Sequence, residues 1–219
     1  MLVARLARAA SLAAVLRASP PSEALGEASP RSSRLDALYD GLPDAHDVPE
    51  NEVRAIDESG GHEAYGELTP RGVRAVMGML GANQGDVLAD LGSGCGRMVL
   101  QCAMDWPFLG GVVGVELSSS RHQVAEQALS RLADWCGPQI VEKVRLYHAD
   151  MLSPQLAPML DDVTHVYVAS LLFDDAFMAR LGSMLASQPK IQAVATLSRF
   201  PPGSLLGFEE SGEDLIEHL

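Results

Sequence analysis

Residues 87–97 read VLADLGSGCGR, a short apolar run that meets three alternating glycines, and this stretch limits the fold more than any other. Val87, Leu88 and Leu91 suit a buried strand, Asp90 falls at its carboxyl end, and a helix opens near Gly96. Gly92, Gly94 and Gly96 permit backbone angles closed to other residues and let a ligand approach the main chain. A helix starting there would aim unpaired N–H groups, and the positive end of its dipole, at that ligand. The spacing departs from the dinucleotide fingerprint G-x-G-x-x-G, and no Gly-Lys-Ser/Thr follows, which excludes a P-loop. A carboxylate just before the glycines would repel a pyrophosphate but suits a cationic ligand.

From residue 64 onward, apolar strands alternate with amphipathic helices. Thr69 and Pro70 form a cap and first-turn pair for a helix over 71–80, whose Val73, Val76, Met77 and Leu80 share one face. A helix over 98–106 follows the glycines, then a strand over 110–117 ending in Glu116, and a long helix over 118–134. Further strands are expected over 144–150, 164–173 and 192–200, with a helix over 174–186 between the last two. This order predicts an α/β fold, a doubly wound and mainly parallel Rossmann-like sheet. Pro201, Pro202 and Gly203 then break the pattern, and the little chain that remains predicts a shortened C-terminal edge with at most one short strand or helix.

The motif D-L-G-S-G-x-G resembles the first motif of class I S-adenosylmethionine-dependent methyltransferases, whose ligand carries a sulfonium and an α-ammonium. The other reading is a tight strand-to-helix turn in some different doubly wound protein. Ligands of such sheets bind beyond the carboxyl ends of the strands, where Asp90, Glu116, Asp150 and Ser170 all fall. With S-adenosyl-L-methionine as cofactor, the backbone of Gly92, Ser93, Gly94 and Gly96 would lie against its methionyl and ribose portion. Asp90 would meet the ammonium, and Glu116, with two acceptor oxygens, would take both ribose hydroxyls. Asp150 would accept from the adenine amine while Met151 packs on the ring. For each acid the competing role is a solvated loop residue or a helix cap.

The segments AYGELTP, ADLGSGCGRMVLQCA, GVELSSSR and VASLLFDDAF stand in the order and approximate spacing of histone-lysine methyltransferases of the disruptor-of-telomeric-silencing type, and the chain resembles that family from about Tyr65 to Phe200. The resemblance implies that Tyr65, Gly66 and Glu67 form a loop covering the cofactor. It also implies that Ser170 and Phe173 occupy a fourth-strand motif that carries Asn and Phe in the family, where Ser170 lacks the amide. Arg199 and Phe200 are similar to a strand-five pair of small mitochondrial protein-lysine methyltransferases. The implied reaction is methyl transfer to a neutral lysine amine on a protein substrate, histone or organelle, with Tyr65, Ser170 and Phe173 as catalytic-site candidates. Tyr65, Phe173 and Phe200 are the candidate channel walls; core packing is the ordinary alternative for the two phenylalanines. The rival functions are a small-molecule or other protein methyltransferase on the same fold, or a catalytically degenerate cofactor-binding domain.

Residues 1–21 carry Arg5, Arg8 and Arg17 with Ala, Ser and no acid, and Leu2, Leu6, Leu12 and Leu16 share part of a helical face. That composition fits a transit peptide, which would direct the chain to a mitochondrion or other organelle, or a frayed helix; its arginines interrupt any membrane span. Residues 22–63 read as a linker and lead-in with a short helix near 35–39, and 64–219 as the catalytic domain. The net charge of −13 argues against strong intrinsic nucleic-acid binding. Cys95, Cys102 and Cys136 form no C-x-x-C pair, and the histidines show no metal-ligand spacing.

Overall fold

A computed structural model describes residues 2–6, 30–62, 64 and 66–213. In chain order they form β1 (Leu2–Leu6), α1 (Pro30–Tyr39), α2 (Glu50–Ser59), α3 (Pro70–Leu80), β2 (Val87–Leu91), α4 (Arg97–Asp105), β3 (Gly111–Glu116), α5 (Ser119–Cys136), α6 (Pro138–Val141) and β4 (Val144–His148). A 3-10 turn (Pro154–Leu160), β5 (His165–Val168), α7 (Asp175–Ala186), β6 (Ala193–Thr196) and β7 (Phe208–Glu213) follow.

The sheet runs β4-β3-β2-β5-β6-β1-β7. The five strands from β4 to β6 are parallel. The chain therefore winds outward from β2 to β4, returns to the other side of β2 with β5, and leaves its switch point between β2 and β5. Alternation along each strand sorts the core into two layers. Leu88, Val112, Tyr167 and Ala195 face the helices α1, α3, α4 and α5. Leu91, Val115, Val166, Val168 and Val194 face α7 and the 3-10 turn.

The helix caps agree with the sequence. The Thr69 side chain accepts from Gly72 N at the start of α3, and that of Ser118 accepts from Arg121 N at the start of α5. Four elements differ, one being the strand expected over 192–200, which stops at Thr196. Helix α1 extends back to Pro30 because proline is well placed in a first turn, where it forfeits no helical hydrogen bond. The strand expected over 164–173 stops at Val168, since the chain turns there to reach α7. Leu2–Leu6 are a strand, not part of a helical face; β1 pairs antiparallel with both β6 and β7, and those neighbours supply hydrogen bonds that outweigh a weak periodicity. The remainder of residues 1–21 lies outside the described residues. Strand β7 thus joins the sheet through β1, so the edge beyond β6 combines chain from both ends. Among the described residues no helix is long and apolar enough to cross a membrane, and no group of three or more His, Cys, Asp or Glu could hold a metal ion.

Candidate active site

The turn after β2 is built almost entirely from backbone. Gly92, Gly94 and Gly96 have φ of 89°, 52° and 78°, the left-handed region that a Cβ makes costly. The N–H groups of Gly92 and Ser93 donate to Val115 O at 2.8 and 2.9 Å. Gly94 N donates to Glu116 Oε2 and Ser118 N to Glu116 Oε1, both at 2.8 Å. Glu116 therefore fixes two loops with one carboxylate, and each oxygen keeps a lone pair for a further donor. The turn lies directly on β3: a Cβ on Gly114 would stand 2.9 Å from both Ser93 Oγ and Leu146 Cδ2.

Asp90 is the unusual member of β2. It sits in register with Tyr167 in the same core layer as Leu88, and it is only 4% exposed. Burial, and secondarily the nearby Glu116, push its carboxyl up to about 7. Tyr167 is shifted upward by its own burial and then by Asp90. Among the described residues none donates a hydrogen bond to the Asp90 carboxylate. A buried carboxylate without a partner is costly, and a cation from a ligand would relieve it.

These groups line one cavity of about 410 Å³ along the carboxyl edge of the sheet. Strand order sets the order of its wall residues. On the β4–β3–β2 side lie Asp150, Met151, Glu116 and Asp90; on the β5–β6 side lie Leu171, Leu172, Phe173 and Leu197. Asp150 Oδ1 accepts from Leu152 N at 2.8 Å and keeps its other oxygen for a ligand. A Cβ on Gly92 would meet the Met151 methyl at 3.4 Å. Gly66 and Glu67 also line the cavity. Glu67 is held by Arg97 Nε at 3.1 Å, and the same guanidinium pairs with Asp36 and stands 4.6 Å from the Tyr39 ring centroid. The Tyr39 hydroxyl donates to Cys95 O at 2.9 Å, so α1, Glu67 and the glycine turn share one clamp.

The structure brings Glu67, Asp90, Gly92, Ser93, Gly94, Glu116, Asp150, Met151 and Phe173 to this cavity. Tyr65 lies outside the described residues. Gly96 stands behind the wall; a Cβ there would meet Ala125 Cβ at 3.0 Å, so this glycine permits α4 to close on α5. Ser170 is not a wall residue either. It is fully buried, and its hydroxyl accepts from Leu197 N and Ser198 N at 3.2 and 2.9 Å, which leaves it tying the end of β5 to the end of β6. Phe200 is not a channel wall, because it packs into the core against Gly182 of α7.

Sequence reading missed Ile56, Leu171, Leu172, Arg97 and Glu52. Helix α2 reaches the cavity because Glu52 Oε2 accepts from Ser118 Oγ (2.7 Å), Ser120 Oγ (2.9 Å) and Ser120 N (3.1 Å) at the start of α5. Burial alone would raise the Glu52 carboxyl, but these bonds outweigh it and hold it below the usual range. An acid facing the serine run 118–120 is visible in the sequence; that the two meet is not.

The profile of the family described as histone methylation protein DOT1 matches residues 47–205. No curated protein matches the chain. Among solved structures, the chain is similar to an RNA methyltransferase from Salinibacter ruber bound to S-adenosyl-L-homocysteine, at 21% identity over 57% of this chain and 71% of that one, with a TM-score of 0.43. It is also similar to the methyltransferase domain of bacterial CtHen1-CN, at 17% identity over 58% and 64%, TM-score 0.48. A third is geranyl diphosphate C-methyltransferase from Streptomyces coelicolor A3(2), at 23% over 73% and 60%, TM-score 0.40. The chain spans less than two thirds of the length of the latter two.

Proposed function

The chain belongs to the DOT1 family of histone methylation proteins, and on that premise we propose that it moves a methyl group from S-adenosyl-L-methionine to the side-chain amine of a lysine in another protein. When bound, S-adenosyl-L-methionine supplies the methyl group on a positively charged sulfur. The observation that carries the reading is the polarity of one cavity. It holds a buried carboxylate at Asp90 that takes no hydrogen bond from the described residues, and an apolar stretch of wall at Leu171, Leu172, Phe173 and Leu197.

The residues fit that cofactor. Asp90 offers its carboxylate to the ammonium, and Gly92 and Gly94 hold the left-handed backbone of the turn that lines the cavity. The free lone pairs of Glu116 face the cavity for the ribose hydroxyls. Asp150 and Met151 hold the adenine edge and face. On the acceptor side, an apolar wall penalises a charged lysine and favours its neutral, nucleophilic form. Phe173, packed on Phe177 with ring centroids 4.3 Å apart, gives that wall a fixed surface against which amine and methyl donor can be aligned. Glu67, held by Arg97, lines the mouth of the same cavity. Ser170 acts through the turn it secures and does not touch substrate.

Calorimetry with S-adenosyl-L-methionine tests the cofactor half, on the wild type and on Glu116→Ala. Micromolar binding that collapses in the variant is expected; a folded wild type that takes up no cofactor overturns the reading. Lysate treated with the enzyme and labelled cofactor then tests the acceptor. New methyl groups on protein lysines support the proposal, and label confined to nucleic acid or small molecules overturns it.

A further inference from the structure

The turn between β5 and α7 is pinned at both ends. At its start the Ser170 hydroxyl accepts from Leu197 N and Ser198 N, and Ser198 Oγ donates to Ser170 O at 3.0 Å. At its end Asp174 caps α7, accepting from Phe177 N at 2.7 Å. Between these anchors Leu171 and Leu172 cannot fold into the core, and they remain 63% and 52% exposed. A single exposed leucine is ordinary on a protein surface. Here two adjacent ones sit on a secured turn and are also part of the cavity wall, so the apolar surface runs unbroken from the mouth to the interior. Asp174 and Asp175 follow at once, both exposed. The one cation of α7, Arg180, is turned toward Ser59 O at 3.2 Å and the Phe177 ring, so it does not neutralise them.

From this juxtaposition we infer that Leu171 and Leu172 form a docking lip for the acceptor protein, and that the lip selects a lysine beside a large apolar side chain within a basic segment. The inference rests on the lysine-transfer reading and names its substrate class. An apolar neighbour of the lysine covers the leucines, and flanking arginines or lysines meet Asp174 and Asp175. The net charge of −13 disfavours a polyanion or an anionic membrane at the same lip.

The test uses the full chain saturated with S-adenosyl-L-homocysteine and short fluorescein-labelled peptides, each with one lysine. One peptide carries leucine on both sides of the lysine and arginines beyond. In a second, serine replaces the leucines; in a third, glutamate replaces the arginines. Fluorescence anisotropy is expected to show the first bound about tenfold more tightly than either of the others. In Leu171→Ser/Leu172→Ser the leucine preference should vanish while S-adenosyl-L-homocysteine affinity holds. Should the double variant not fold, each single variant is expected to lose about threefold of the preference. Equal binding of the leucine and serine peptides, no binding of any peptide, or a preference that survives the substitutions overturns the inference. So does leucine-dependent pelleting with phosphatidylcholine vesicles, which would make the lip a lipid contact. Loss of cofactor binding in the wild type would instead sink the methyl-transfer reading itself, so the two failures are separable.

Discussion

On the β4–β3–β2 side of the cavity, Glu116 is 7% exposed and held by two backbone donors; on the β5–β6 side, Leu171 is 63% exposed. The first side is assembled before any ligand arrives. Its main elements are backbone, carboxylates and glycines that admit no side chain, so its shape suits one molecule. The second side presents bare apolar surface on a rigid turn, which is favourable only when something covers it. The difference teaches where specificity resides. On the proposed reading, a methyl donor that is the same in every turnover meets a preformed pocket, whereas the acceptor side awaits a partner.

The strongest way to break the first side is to titrate it. Asp90 is raised from 3.8 to about 7, so between those values the folded chain keeps a proton that the unfolded chain has released. Its contribution therefore destabilises the fold as pH rises through that window, by about 4 kcal/mol once fully ionised. Denaturant unfolding from pH 5 to 8 is expected to show this slope in the wild type and not in Asp90→Asn. A cationic ligand favours the ionised form, so S-adenosyl-L-methionine should bind more tightly as pH rises toward 7 and should release protons at pH 6. Calorimetry in buffers of different ionisation enthalpy reads that release directly.

Glu116→Ala comes next. It removes the acceptor of two buried N–H groups, each costing about 1–3 kcal/mol, and it frees the glycine turn. Cofactor affinity should fall by about a hundredfold, close to 3 kcal/mol. Gly114→Val probes the same pocket from beneath, since its side chain would collide with Ser93, Leu146 and Val99. Overpacking of this kind costs about 1–3 kcal/mol, and a lowered melting temperature together with weakened cofactor binding is expected. A variant that loses neither would show that the turn is softer than its contacts imply.

The two sides also differ in how well the sequence announces them. Asp90 and Glu116 were legible because a charge at the end of an apolar strand needs a partner, and the glycines because few other turns require three in alternation. Gly114 could be understood only with the turn lying on it. Leu171 and Leu172 looked like the tail of a strand, and the pairing limit at Val168 turns them outward instead. Ser170 stood at the expected strand end, but alternation no longer governs direction beyond the last paired residue, and its side chain points to β6. Ile56 and Glu52 depend on α2 reaching α5, a contact between segments far apart in sequence. Phe200 reads equally well as wall or core, and only Gly182 opposite decides for the core. The parallel sheet itself was plain from the strand–helix rhythm; the place of β1 between β6 and β7 was not, because a five-residue stretch fits helix and strand alike.

The smallest expected effect separates the sides most cleanly. Ser170→Ala keeps the volume of the turn nearly intact but removes the acceptor for Leu197 N and Ser198 N. The loss should be about 1–2 kcal/mol of stability, because two part-buried donors lose a neutral partner and water can reach part of that gap. Affinity for S-adenosyl-L-methionine should not change, since Ser170 does not touch the cavity. Preference for a lysine with apolar neighbours should weaken, because the lip then hangs from Asp174 alone. If Ser170 instead contacted the acceptor, kcat would fall with the peptide preference intact, and Ser170→Thr, which keeps the hydroxyl, would restore only part of the rate. A fall in preference with kcat preserved, reversed by Ser170→Thr, marks the residue as a support for the lip.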